Sequence, residues 1–199
     1  MTANRRAAFI DRDGVLNVDH GYVFRREDFQ WLPGAVDALR HLQAADYLLI
    51  VVTNQSGIAR GLYTEADLAR LHDFMWGELQ RQGVSLTAIY ACPHHPQAAL
   101  SAYRIDCECR KPRPGMILRA AREHGIELGA SCLFGDKASD IEAGRSAGVG
   151  HCVLIGSDVA ARACAADAAA VSLGNAVAGT IASKPQALDS TDRMWSRPR

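Results

Sequence analysis

Ala7-Ala8-Phe9-Ile10-Asp11-Arg12-Asp13-Gly14-Val15 decides how the chain is read. A short apolar strand stops at one carboxylate, and a second carboxylate follows two residues later. Two further apolar runs end in polar clusters. Tyr47 to Val52 is continuous and β-rich, as for a strand buried on both faces, and leads into Thr53-Asn54-Gln55-Ser56-Gly57. Cys132 to Phe134 leads into Gly135-Asp136. Leu86 to Ala91 and His151 to Ile155 read as further strands, with a weak one near Ala170.

Helical patterns separate these runs. One opens at Pro33-Gly34 with Val36, Leu39 and Leu42 on a face; another is capped by Thr64 and carries Leu68, Leu71, Met75 and Leu79. Others follow Pro114, with Ile117, Leu118 and Ala121 apolar, run from Ile141 to Ala147, and begin after Asn175. The alternation predicts an α/β fold built on a doubly wound parallel sheet. In such a sheet ligands sit outside the carboxyl ends of the strands, so Asp11, Thr53 and Asp136 should share one rim.

That rim has the parts for phosphoryl transfer. A carboxylate can attack a phosphate monoester if the ester's charge is neutralised and the leaving oxygen protonated. Asp11 is placed to attack, and Asp13 to protonate the leaving alkoxide and then deprotonate water. Asp136, with Asp11 and the main-chain carbonyl of Asp13, would hold Mg²⁺, a hard cation that prefers oxygen. Thr53 and Asn54 can donate to phosphoryl oxygens, and Lys111 supplies positive charge. Of 22 basic residues only three are lysines, Lys111, Lys137 and Lys184, and two of these lie in the motifs. A compact ammonium suits a point-charge phosphate ligand.

A long loop carries Cys92-Pro93-His94 and Cys107-Glu108-Cys109, with twelve residues between the pairs. Three thiolates and an imidazole suit tetrahedral Zn²⁺, and full protein ligation predicts a structural ion that staples the loop beside Lys111. His95 is the rival of His94 on spacing. Cys132 and Cys152 read as core residues, and Cys164 as a packing residue in an Ala-rich helix. Residues 12 to 33 form a polar, aromatic-bearing excursion. Its Asp19-His20-Gly21-Tyr22-Val23 segment is Gly-hinged where a lid could reach substrate, and Arg110 suggests a second anionic or hydroxyl-rich group to be held.

The chain has 199 residues, 48% hydrophobic, with 22 acidic and 22 basic side chains. This size suits one domain, expected over residues 1–183, with a zinc loop at 92–110 and a solvated tail at 184–199. Neutral charge predicts no nucleic-acid partner. With no membrane-span-length apolar run and no secretory signal at the start, the expectation is a cytoplasmic protein with no membrane partner, leaning to a monomer.

The series Asp11-Arg12-Asp13-Gly14-Val15, Thr53-Asn54-Gln55, Lys111-Pro112 and Gly135-Asp136-Lys137-Ala138-Ser139-Asp140 resembles the haloacid-dehalogenase-like (HAD) phosphatases over residues 7 to 156. Adding Gly21-Tyr22-Val23, Thr53 through Gly61 and the Cys/His loop, the chain resembles the heptose bisphosphate phosphatase family within them. That resemblance implies a HAD-like Rossmannoid sheet with a minimal cap, a small sugar bisphosphate substrate, and a role in making activated heptose for lipopolysaccharide or another surface polysaccharide. It implies Asp11 as nucleophile and Asp13 as acid/base. Mg²⁺ falls to Asp11, Asp13 and Asp136, and Zn²⁺ to Cys92, His94, Cys107 and Cys109, which favours His94 over His95. Substrate or phosphoryl contacts fall to Asp19, His20, Gly21, Tyr22, Thr53, Asn54, Gln55, Ser56, Arg110, Lys111 and Lys137. The rivals are a histidinol-phosphate phosphatase, which should offer acid near a substrate amine, a nucleic-acid 3′-phosphatase, which should carry a basic track, and a non-catalytic sugar-phosphate-binding protein, which should lose Asp11 or Asp13.

Overall fold

A computed structural model describes residues 5–156 and 164–182. Six strands form one sheet: β1 (Arg6–Ile10), β2 (Tyr47–Asn54), β3 (Leu86–Cys92), β4 (Cys132–Gly135), β5 (His151–Ile155) and β6 (Ala168–Ala170). All neighbours are parallel, in the order β3-β2-β1-β4-β5-β6. The chain starts at the centre and winds outward in both directions, so the doubly wound sheet is as expected. Beside β1 the order reverses, which puts the Asp11 end of the strand at the switch point where such sheets bind ligands.

Both faces are covered, and period-2 alternation divides the strand residues between them. Ala8, Ile10, Leu49, Val51 and Phe134 face the side of α1 (Ala35–Ala44) and α5 (Leu173–Ala182). Ala7, Phe9, Ile50, Val52 and Leu133 face α3 (Gly115–His124) and α4 (Ala138–Ala147). This two-sided burial is why the strands read as continuous apolar runs. The remaining helix, α2 (Glu65–Arg81), sends Leu79 into the α1-side core and uses Leu71 and Met75 to hold Val23 of the excursion. Its start is the expected one: Thr64 Oγ1 accepts from Asp67 N at 3.1 Å while Asp67 Oδ2 accepts from Thr64 N at 2.8 Å.

Several boundaries differ from the sequence expectation for identifiable reasons. α4 begins at Ala138 and not Ile141, because Asp140 Oδ2 turns back to accept from Lys137 N at 3.0 Å. α5 begins before Asn175, because Ser172 Oγ accepts from Asn175 N at 3.2 Å. On α1, Ala35 and Ala38 join Leu39 and Leu42 in the core, whereas Val36 is half-buried. On α3 the buried set is Met116, Ile117 and Ala120, with Leu118 and Ala121 half-buried. Cys132 and Cys152 are core residues as expected. Cys164 lies in a turn ahead of β6 and not in a helix. The tail expected at 184–199, and residues 157–163 of the Ala-rich segment after Gly156, lie outside the described residues. Among those described, no helix is long and apolar enough to cross a membrane.

Candidate active site

Asp11 leaves β1 with its amide donating to Phe134 O at 2.9 Å, which ties the strand end to β4. The chain then turns so tightly that Arg12 O accepts from Leu16 N at 2.8 Å and Asn17 N at 3.1 Å. Gly14 makes this possible with φ +84°, and a Cβ there would stand 2.5 Å from Asp136 Oδ2. Gly14→Ala should therefore cost about 1–3 kcal/mol of stability through backbone strain. It should also displace Asp136, and a Mg²⁺ titration of activity should show weaker activation than in wild type.

Three carboxylates, Asp11, Asp136 and Asp140, converge with their oxygens within 4.8 Å of one another. Lys111 is 4% exposed and stands among them. Its ammonium is 2.8 Å from Asp11 Oδ1, 2.5 Å from Asp140 Oδ1 and 2.8 Å from Val52 O. Burial works against its charge, but Asp11 and Asp140 outweigh burial and hold its pKa above the ordinary lysine value. Asp136 has a cationic partner, Lys137, that is exposed and more distant. Burial, then the Asp11 charge, push its carboxyl up to about 7, although Lys137 Nζ 3.6 Å away opposes the shift. Its Oδ1 is buried without a hydrogen-bond donor. Crowded carboxylates with an unspent buried oxygen fit a hard divalent cation.

The carboxylate of Asp13 is not in that cluster. Arg12, Asn17 and Gln55 hold it: Arg12 Nη2 donates to both oxygens at 2.9 Å, Asn17 Nδ2 to Oδ1 at 3.0 Å and Gln55 Nε2 to Oδ2 at 2.9 Å. Gln55 Nε2 also donates to Thr53 Oγ1 at 2.8 Å, which leaves the threonine proton free to point elsewhere. The side chain of Asn54 is committed to Lys111. It accepts from Lys111 N and donates to Lys111 O, both at 3.1 Å, fixing the lysine main chain and not reaching out alone from the rim.

The remaining candidates form the border. Lys137 Nζ lies 3.4 Å from Asp19 Oδ2, so it links the rim to the excursion. Asp19 Oδ1 accepts from Gly21 N at 2.9 Å, and both Gly21 (φ +78°) and Tyr22 (φ +57°) are left-handed. Tyr22 is exposed, with the Arg60 guanidinium 5.9 Å from its ring. His20 is exposed and Ser56 half-buried. Arg110 Nη1 donates to His94 O at 3.2 Å.

The Cys92, His94, Cys107 and Cys109 ligand atoms also lie within 4.8 Å of one another. Cys109 Sγ is 3.2 Å from both Cys92 Sγ and Cys107 Sγ, and 3.4 Å from His94 Nδ1. A zinc–sulfur bond of about 2.3 Å puts tetrahedral sulfur pairs about 3.8 Å apart, so the set needs little expansion to hold the ion. His95 is spent elsewhere, its Nδ1 accepting from Gln97 N at 3.1 Å. The loop lies against α3: Gly115 N donates to Glu108 O at 2.9 Å, and a Cβ on Gly115 would be 2.3 Å from that oxygen.

Sequence patterns pass over four contributors. Asp140 reads only as a helix cap, yet it also pairs with Lys111. Asn17 ends the Asp11-Arg12-Asp13-Gly14-Val15-Leu16-Asn17 motif without an assigned role, and Tyr63 and His72 belong to no motif, yet Asn17 holds Asp13, Tyr63 OH donates to Gln55 Oε1 at 2.6 Å, and His72 Nε2 lies 3.3 Å from Arg12 Nη1. Only the general rule that buried polar groups are hydrogen-bonded could point toward them.

Comparison with known proteins shows the family of the chain. A family model described as HAD-hydrolase-like matches residues 108–182. D-glycero-beta-D-manno-heptose-1,7-bisphosphate 7-phosphatase of Yersinia pestis is 46% identical over 155 residues, covering 78% of this chain and 82% of that protein. D-glycero-alpha-D-manno-heptose-1,7-bisphosphate 7-phosphatase of Burkholderia mallei is 48% identical over 166 residues, covering 83% and 88%. Among solved structures, D,D-heptose 1,7-bisphosphate phosphatase from B. bronchiseptica, complexed with magnesium and phosphate, superposes with a TM-score of 0.76 at 30% identity, covering 89% of this chain and 98% of that one. With relatives of this similarity spanning most of its length, the chain belongs to the heptose-1,7-bisphosphate 7-phosphatase family of HAD-like phosphoric monoester hydrolases.

Proposed function

We propose that the protein removes the 7-phosphate of D-glycero-D-manno-heptose 1,7-bisphosphate through an aspartyl-phosphate on Asp11, with Mg²⁺ bound. The observation that carries this reading is the Lys111 ammonium between Asp11 and Asp140 at the switch point of the sheet, with the Asp13 carboxylate held apart on its own donors. Asp11 attacks phosphorus as the bond to the sugar oxygen breaks, and Asp13 gives that oxygen its proton. Asp13 then takes a proton from water, which attacks phosphorus and frees Asp11. Thr53 directs its hydroxyl proton at a phosphoryl oxygen. Lys111 acts through Asp11: burial raises the Asp11 carboxyl above the usual carboxylate range, and the Lys111 charge opposes that rise and favours the ionised nucleophile. Asp11, Asp136 and the main chain at Asp13 would hold Mg²⁺, which would neutralise phosphoryl charge.

Lys137, Asp19 through Tyr22, Ser56 and Arg110 border the opening and would bind the sugar and its remote phosphate. Relatives named for both anomers match the chain to a similar degree, so both anomers belong in the assay. The product suits synthesis of nucleotide-activated heptose for lipopolysaccharide or another surface polysaccharide, by a cytoplasmic, monomeric, single-domain enzyme. Acid-quenching a single turnover and mapping the peptides tests the chemistry: a phosphoryl group on the Asp11 peptide supports it, and an unmodified Asp11 during active turnover overturns it.

Zn²⁺ would hold Cys92, His94, Cys107 and Cys109 and so keep Arg110 and Lys111 in place. Cys109→Ser should bring zinc content from about one ion per chain to a small fraction, by elemental analysis of reduced protein, and lower the melting temperature. Unchanged stability with the zinc lost would remove the staple from this reading.

A further inference from the structure

Arg12 is wholly buried, although its place in the Asp11-Arg12-Asp13 segment reads as a spacer. Its guanidinium grips both Asp13 oxygens and is itself held by two groups outside the motif chemistry. Val23 O accepts from Nη2 at 2.6 Å, and His72 Nε2, on α2, lies 3.3 Å from Nη1. A guanidinium has no acceptor, so this contact requires the imidazole to present a lone pair. Burial and the Arg12 charge push His72 down to about 3, which keeps it neutral. A second arm reaches Asp13 from the other side. Tyr63 OH donates to Gln55 Oε1, which turns the amide so that Nε2 faces Asp13. The Tyr63 ring is fixed in turn: it stacks on Phe24 at 4.7 Å and lies where a Cβ on Gly57 would be 2.1 Å away. Burial pushes the Tyr63 hydroxyl up to about 12, so it stays a donor.

We propose that His72 and Tyr63 are positioning residues that aim the Asp13 carboxylate at the leaving oxygen, one through Arg12 and the other through Gln55. Neither touches substrate. The inference rests on the reading of Asp13 as the acid/base. Its signature is dependence on the leaving group: a sugar alkoxide needs a proton to depart, whereas p-nitrophenolate does not.

The test measures kcat/KM for wild type, His72→Phe, His72→Gln and Tyr63→Phe on heptose 1,7-bisphosphate and on p-nitrophenyl phosphate. kcat/KM reports phosphoryl transfer to the enzyme and is blind to the later hydrolysis of the aspartyl-phosphate. His72→Phe and Tyr63→Phe should each lose about tenfold on the sugar ester and less than about twofold on the aryl ester. His72→Gln, which restores an acceptor for Arg12, should regain most of the loss. Equal losses on both esters, or none on the sugar ester, would overturn the proposal. Asp13→Asn separates the two claims: if it fails to show the same contrast, the acid/base assignment falls, and if it alone shows it, the positioning role falls. Should heptose bisphosphate prove a poor substrate for wild type, the same contrast is read on another primary sugar phosphate.

Discussion

Asp11→Asn should yield a folded protein whose kcat on the sugar bisphosphate is at least about 10⁴-fold below wild type. The amide keeps the shape of the carboxylate, and its oxygen can still accept from Lys111 Nζ, which stands 2.8 Å from Asp11 Oδ1. What it lacks is the negative oxygen that forms the bond to phosphorus. The substitution also thins a crowd of three carboxylates, so stability should stay within about 1 kcal/mol of wild type. Initial rates and thermal unfolding on one preparation read both effects. Turnover near the wild-type rate in the folded variant would rule out attack by Asp11.

Lys111→Met should damage stability and turnover together. It removes the ammonium from Asp11 and Asp140, both buried, and leaves Val52 O without that donor. Breaking a buried ion pair from one side costs about 3–5 kcal/mol, because the stranded charge cannot regain water. Loss of a preorganised charge at the reacting group should lower kcat by about 10²–10³-fold or more. Urea unfolding and initial rates measure the two losses. Adding Asp140→Asn to Lys111→Met should recover part of the stability, since one stranded charge is gone, without restoring turnover. A single variant as stable as wild type would show that Lys111 does not hold this cluster.

The difference between what the sequence discloses and what it hides follows from how each residue is placed. Asp11, Thr53 and Asp136 each follow a strand of a parallel sheet, so topology alone brings them to one edge. The Cys/His cluster is legible because paired ligand-type residues at short spacing have few other uses when their thiols are free. Lys111 is legible for the same reason at one remove, since it abuts that loop. Asp140 and Asn54 lie inside quoted motifs, but their work on Lys111 depends on side-chain direction after the strand ends. His72, Tyr63 and Asn17 are harder still. His72 lies 60 residues from its partner Arg12, whereas Tyr63 and Asn17, 8 and 4 residues from Gln55 and Asp13, reach them across irregular turns and not along a helix or strand. His72 and Arg12 meet because Val23, Phe29 and Trp31 of the excursion pack with Leu71, Phe74 and Met75 of α2. The excursion shows no regular pattern in sequence because its order comes from that packing, from the Arg12 network and from one short antiparallel bridge between Asn17 and Trp31, not from a helix or an extended strand.

In the proposed reading substrate identity turns on the border of the site, where Lys137 meets Asp19 and the Cys/His loop carries Arg110. The decisive measurement is kcat/KM with Mg²⁺ for both anomers of heptose 1,7-bisphosphate and for histidinol phosphate, with ³¹P NMR to show which phosphate departs. The expected result is release from the 7-position alone, with at least about 100-fold preference over histidinol phosphate. A higher kcat/KM for histidinol phosphate, or release of the anomeric phosphate, would contradict the assignment.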